Sequence, residues 1–295
     1  MIKNINGKPK WLKVSYNKKS MEEINLLMEK LSLNTVCREA NCPNMGECYK
    51  KHTATFMIMG NQCTRHCRFC NVAHGKPLKI DPKEPRHVAE AVKQLSLKHV
   101  VVTSVTRDDL SDCGAEHFAE TIQEIRYLCP NTTVEVLIPD LKGSKRNLDI
   151  VIKANPDVIN HNIETAERLY NTVRPEADYK RSLSVLKYVK DKNPNILSKT
   201  GIMVGLSETE EEIYKVMDDA LNVKCDIFTI GQYLRPTKQH IEVAKYVAPE
   251  KFERYRQAGM KKGFLYVASS PLVRSSYKAE EAVELFKSKV KKLNL

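Results

Sequence analysis

The chain has 295 residues, 42% of them hydrophobic and 28% charged, a balance that suits a globular protein with a sizeable core and excludes a disordered one. The basic N-terminus lacks the apolar core of a secretory signal, and no stretch approaches the ~18 apolar residues of a bilayer span, so a cytoplasmic protein without membrane contact is expected. The net charge of +12, much of it in Lys8 to Lys19 and Lys287 to Lys292, suits acidic partners and equally a solvated surface.

Ser20-Met21-Glu22-Glu23 fits a capping box, and Met21, Ile24, Leu27, Met28 and Leu31 recur at helical spacing, which predicts a helix from about 20 to 33. From Cys37 to Cys70 the sequence reads as loop around one buried strand, Thr55 to Met59, that ends at Gly60-Asn61. Helices and strands then alternate. Helices near 85–95, 115–128, 144–154, 179–192 and 208–221 are followed by strands near 100–103, 133–138, 157–159, 199–204 and 226–230. This alternation calls for a parallel sheet with right-handed crossovers, either doubly wound or curled into a whole or partial barrel. A loop carrying Arg235-Pro236-Thr237, a helix over 249–262, the apolar run 264–267 and a basic helical tail complete the chain.

The chain has nine cysteines, and without a secretory signal they point to metal or redox chemistry rather than disulfides. Cys63, Cys67 and Cys70 form a C-x3-C-x2-C loop just after a strand. Three thiolates can hold three corners of a cubane iron–sulfur cluster and leave one iron open, where the amino and carboxylate groups of S-adenosylmethionine can chelate. A zinc site is the competing reading, but its paired spacing is absent and His66 fits a fourth position only awkwardly. Cys37, Cys42 and Cys48 form C-x4-C-x5-C, a second three-thiol loop that needs a distant ligand or an open iron.

A C-x3-C-x-aromatic-C loop after a first strand resembles the motif of radical S-adenosylmethionine enzymes. With the preceding C-x4-C-x5-C and with Arg274-Ser275-Ser276-Tyr277 near the C-terminus, the sequence resembles the lipoyl synthase family over nearly its whole length. Further similar stretches are 103–110, 160–165, 203–206 and 232–237. The resemblance implies an α/β fold, a partial (β/α)6 TIM-like barrel over 55–248. An N-terminal extension, 1–54, and a C-terminal extension, 249–295, would carry an auxiliary cluster. It implies two [4Fe–4S] clusters and S-adenosylmethionine as cofactors. Cys63, Cys67 and Cys70 would hold the cluster that cleaves S-adenosylmethionine. Cys37, Cys42 and Cys48 would hold the auxiliary one, with a serine as fourth ligand, placed at Ser276 with Ser275 as the alternative. An alkoxide matches iron in a sulfide cluster less well than a thiolate does, which suits a cluster consumed as sulfur donor.

The implied reaction takes hydrogen from C6 and C8 of an octanoyl group on a carrier lysine and replaces each with sulfur. The implied partners are acidic lipoyl carrier domains (2-oxoacid dehydrogenase E2 subunits, glycine cleavage H protein) and an electron donor such as ferredoxin or flavodoxin; no nucleic acid is expected. Arg107, Asp108, Asn162, Glu164 and Arg235 lie just after strand ends, where barrels place their sites, and are candidates for contacts to S-adenosylmethionine or substrate, or for loop hydrogen bonds. Cys113 and Ser270 stand where the family usually has glycine, a cost if either backbone needs a positive φ. Cys113, Cys129 and Cys225 fall outside both motifs and read as structural thiols. Two other readings compete: a tRNA methylthiotransferase, whose RNA-binding domain has no room after Lys262, and a non-catalytic cluster or zinc carrier.

Overall fold

Runs of β-branched residues that are apolar on both faces, such as His99-Val100-Val101-Val102-Thr103, suit strands buried between helices and a barrel interior. In the computed structural model, which describes residues 9–12, 18–40, 42, 44–45, 55–276 and 279–293, these runs form one eight-stranded sheet in sequential order. The strands are β1 (Asn34–Thr35), β2 (Thr55–Ile58), β3 (His99–Ser104), β4 (Thr133–Leu137), β5 (Val158–Asn160), β6 (Leu197–Val204), β7 (Ile227–Gln232) and β8 (Tyr266–Ser269). From β2 to β8 every pairing is parallel, whereas β1 adds antiparallel to β2. The sheet ends at β1 and β8, which do not pair with each other among the described residues, so the barrel is partial. The run expected near 264–267 forms strand β8 two residues later, and it extends the sheet beyond six parallel strands.

Local chemistry sets the helix boundaries. The helices Ala115–Leu128, Tyr179–Lys192 and Pro249–Lys262 match their expected limits. Asp178 caps the second through the Arg181 N–H, and Pro249 opens the third, which Gly263 closes at φ 117°. Thr209 and Glu212 form a reciprocal capping box at the start of Glu210–Asn222. The first helix instead runs Lys18–Lys30, so Ser20 is its third residue and not its cap. Cys37, expected in a loop, sits in the short helix Val36–Glu39, capped by Thr35.

The terminal helix Ala279–Leu293 closes the lower end of the barrel. Its Ala282 and Val283 pack on Val158, Leu197 and Ile227, the first residues of β5, β6 and β7. Cys113 does adopt a positive φ, 55°, a conformation that costs an L-residue roughly 1–2 kcal/mol, while Ser270 does not. Among the described residues no helix is long and apolar enough to cross a membrane.

Candidate functional site

A cavity of about 470 Å³ opens above the carboxyl ends of the strands, the face on which barrels of this kind place their chemistry. Cys63, Cys67 and Cys70 line it together with Cys37, Cys42, Val273, Arg274, Ser275 and Ser276. Cys48 lies outside the described residues. Asn162, Glu164 and Arg235 line the same cavity.

The Cys63–Cys70 loop is fastened at several points. Its Cys63 N–H donates to Ala73 O at 2.8 Å, its Thr64 N–H to Thr106 O at 3.0 Å and its Arg68 N–H to Val173 O at 2.9 Å. The Cys63 sulfur accepts from the N–H groups of Thr106 and Arg65, at 3.3 and 3.5 Å. His240 Nε2 meets Cys70 O at 3.0 Å. Phe69 packs with Leu169, Val173, Leu206 and Tyr233, an apolar cover over this loop.

In the other cysteine segment, the Cys42 N–H donates to Cys37 O at 3.0 Å, and Asn44 Nδ2 donates to Leu272 O at 2.7 Å, binding this segment to the C-terminal one. The Thr55 hydroxyl donates to Ser276 Oγ at 2.8 Å, and Asn162 Nδ2 donates to Ser275 Oγ at 2.6 Å. The two serines therefore have separate partners, Ser276 on β2 and Ser275 beyond β5.

Burial pushes the Cys37 thiol up to about 12, with the neighbouring Cys42 adding to the rise and hydrogen bonds from Thr55 opposing it. Burial likewise raises Cys70 to about 12 and Cys67 to about 11. Cys42 is raised by burial too, against the pull of Arg274. Each cysteine group thus has one cation that favours its thiolates, the buried Arg174 acting on Cys67 and the half-buried Arg274 on Cys42. Glu164 lies within the field of both arginines, and burial still raises its carboxyl. Its backbone is held at φ 69°, and its side chain accepts from Asn162 Nδ2 at 3.0 Å.

The profile of the radical SAM superfamily matches residues 57–220. A lipoyl synthase from Caldanaerobacter subterraneus subsp. tengcongensis is 59% identical, covering 94% of this chain and 98% of the relative. One from Alkaliphilus metalliredigens is 53% identical over 95% and 97%. The chain belongs to the lipoyl synthase family. Among solved structures, the maturase HydG of the [FeFe]-hydrogenase superposes with a TM-score of 0.57 at 16% identity, over 82% of this chain and 61% of that one. Methylornithine synthase superposes with a TM-score of 0.51 at 13% identity, over 77% and 70%, and both share the fold.

The family's iron–sulfur chemistry fits the donors present. Several thiols open onto one cavity that Arg174 and Arg274 also border, and metal binding would displace their protons. Among the described residues, no three His, Cys, Asp or Glu side chains converge tightly enough to hold a single metal ion; the thiols border a shared volume instead.

Arg107 and Asp108 are not among the lining residues. Arg107 is buried and spent on Asp109, at 2.8 and 2.9 Å, while Asp108 accepts from Arg65. Arg235 reaches the cavity wall with its guanidinium donating to His240 O and Glu242. Sequence reasoning missed Arg174, which donates to the carbonyls of Asn162 and Ile163 at 2.9 and 3.1 Å; no periodicity marks a buried arginine in a loop. Cys113 and Cys225 are buried and Cys129 is half-buried. The Cys225 thiol donates to the Ser198 and Ile227 carbonyls, as a structural thiol does.

Proposed function

We propose that this chain inserts sulfur at C6 and C8 of an octanoyl group that is amide-linked to a lysine of a carrier domain, converting it to the lipoyl group in place. The observation that carries this reading is one cavity onto which Cys63, Cys67 and Cys70, Cys37 and Cys42, Ser276 and the strand ends all open. A carbon that loses hydrogen at one centre and gains sulfur from another must be held within reach of both.

In this reading Cys63, Cys67 and Cys70 would hold one [4Fe–4S] cluster and leave one iron for S-adenosylmethionine. Cys37, Cys42, Cys48 and Ser276 would hold the other. Bound there, these groups supply a radical strong enough to take hydrogen from unactivated carbon and the sulfide that replaces it. The chain's own residues do the rest. Met57, Leu137, Ile138, Met203 and Val273 wall the cavity and keep water from reactive carbon. Asn162, Glu164 and Arg235 offer polar contacts to S-adenosylmethionine or substrate, and Arg174 and Arg274 balance negative charge at the two cysteine groups.

The partners in this reading are octanoylated, acidic carrier domains, those of 2-oxoacid dehydrogenase E2 subunits and the glycine cleavage H protein, with ferredoxin or flavodoxin as reductant, in the cytoplasm. Anaerobic turnover with an octanoyl-lysyl peptide, dithionite and S-adenosylmethionine tests it. The expected result is deoxyadenosine and thiolated peptide rising together, about two of the former per lipoyl group because two C–H bonds break. Deoxyadenosine without any carbon–sulfur bond would refute it.

A further inference from the structure

Arg65 lies between Cys63 and Cys67 and borders the same cavity, yet its side chain is only 6% exposed. Its Nε and Nη2 donate to the two oxygens of Asp108 at 2.6 and 3.1 Å, and Nη2 also donates to Asp140 Oδ1 at 2.7 Å. Asp108 follows β3 and Asp140 follows β4, so one guanidinium ties the cysteine loop to two successive strand ends. Asp140 is wholly buried, and its other oxygen accepts from Arg181 Nη1 at 3.2 Å, which anchors the arrangement to the helix Tyr179–Lys192. The Asp108 N–H donates to Thr64 Oγ1 at 3.1 Å, closing a ring of contacts around the start of the loop.

We infer that Arg65 is a positioning residue, which clamps the Cys63–Cys70 loop to the ends of β3 and β4 so that its three thiols present one open iron to S-adenosylmethionine; this rests on the cluster assignment proposed above. Two carboxylates face two guanidiniums in the network, so their formal charges cancel and little net field reaches the sulfurs. What remains is geometry. A planar fork with five donors can bridge two carboxylates, whereas a lysine ammonium offers a single point. Groups that orient metal ligands from behind typically change metal affinity or activity by about 10-fold to 100-fold when removed.

The test uses the full chain in two backgrounds. In one, Cys37, Cys42 and Cys48 are replaced by alanine, and in the other Cys63, Cys67 and Cys70 are. After anaerobic reconstitution each background binds about four irons, one cubane. Arg65→Lys is then placed in both, iron is counted, and the change that S-adenosylmethionine produces in the electron paramagnetic resonance of the reduced protein is titrated. The inference expects that in the first background Arg65→Lys either lowers iron by more than half or raises the half-saturating S-adenosylmethionine concentration about tenfold or more, with iron unchanged in the second. It is overturned if both quantities stay within about twofold in the first background, or if iron falls equally in both, which marks general structural damage. A wild-type chain that takes up no iron refutes the cluster assignment itself, an outcome distinct from either.

Discussion

Thr55 Oγ1 donates to Ser276 Oγ across 221 residues of sequence, at 2.8 Å. Thr55 also lies beside the Cys37 thiol, where it opposes the rise that burial causes. One residue at the start of β2 therefore stands between Ser276 and Cys37, while Ser275 accepts from Asn162. This geometry favours Ser276 over Ser275 as the oxygen ligand in the proposed centre. Ser276→Ala is expected to lower thiolated product by about 100-fold with deoxyadenosine formation within about threefold of wild type, whereas Ser275→Ala costs about threefold in product. Product and deoxyadenosine measured in the same anaerobic reaction decide it, and equal losses from the two variants would show that the oxygens are interchangeable.

Gly231, on β7, leaves space for the chain that bears these serines. A Cβ there would lie 2.1 Å from the Val273 carbonyl oxygen and 3.2 Å from Arg274 Nη1. Backbone cannot rotate away as a side chain can, so Gly231→Ala should displace residues 273–276 from the cavity. We expect it to cost about 1–3 kcal/mol of stability and to remove most sulfur insertion. Gly201→Ala is the comparison, because its nearest obstacle is the Thr229 side-chain hydroxyl at 2.1 Å. Chemical denaturation and turnover of both variants test the idea; a Gly231→Ala chain with full thiolation would show that the terminal segment can be carried elsewhere.

The barrel was legible where periodicity is long. Ala115–Leu128, Tyr179–Lys192 and Pro249–Lys262 each span several turns with an apolar stripe, and a proline or aspartate marks two of their starts. Asn34–Thr35 and Val36–Glu39 are too short for any period to show, and tertiary packing creates them. Cysteine spacing is local and could be read directly, Ser276 was reached only through the family resemblance, and Cys37, Cys42, Cys63, Cys67, Cys70 and Ser276 border one cavity. Arg65, Arg174 and Asp140 were not legible, since their roles depend on partners such as Asp140, 75 residues from Arg65. Arg107 and Asp108 show the converse: residues after a strand end can pair with other loop residues, here Asp109 and Arg65, and stay off the cavity wall.

Below the cavity, Lys199 Nζ lies 2.8 and 3.1 Å from the two oxygens of Glu135. Asn160 donates to the same carboxylate at 3.2 Å, and His99 Nε2 stands 3.6 Å away. Burial pushes the Glu135 carboxyl up, but Lys199 and then His99 outweigh it and hold it at about 2. A carboxyl depressed in the folded state contributes stability that is complete above its unfolded value of ~4.3. That contribution is lost as pH falls from there toward about 2. Glu135→Gln strands the Lys199 ammonium and should cost about 3–5 kcal/mol at pH 7, with the gap to wild type narrowing at pH ~3. Urea denaturation of both chains at the two pH values measures this, and a gap that persists undiminished at the acid value would contradict the assigned pair.

The net charge of +12 has a role if the carrier is acidic, as proposed. Opposite net charges speed encounter of the two surfaces and lose that advantage as salt screens them, with a Debye length near 10 Å at about 0.1 M. Raising ionic strength from about 20 to about 300 mM should therefore lower kcat/KM for an octanoylated carrier domain by about tenfold. A short octanoyl-lysyl peptide without net charge should change less than twofold over the same range, because it meets the same cavity without the long-range field; about twofold is the scale of ordinary salt effects on a neutral encounter. The peptide also controls for any effect of salt on the clusters or on S-adenosylmethionine. If carrier and peptide respond alike, recognition of the carrier rests on contacts at the cavity mouth, and the surface charge contributes nothing to it.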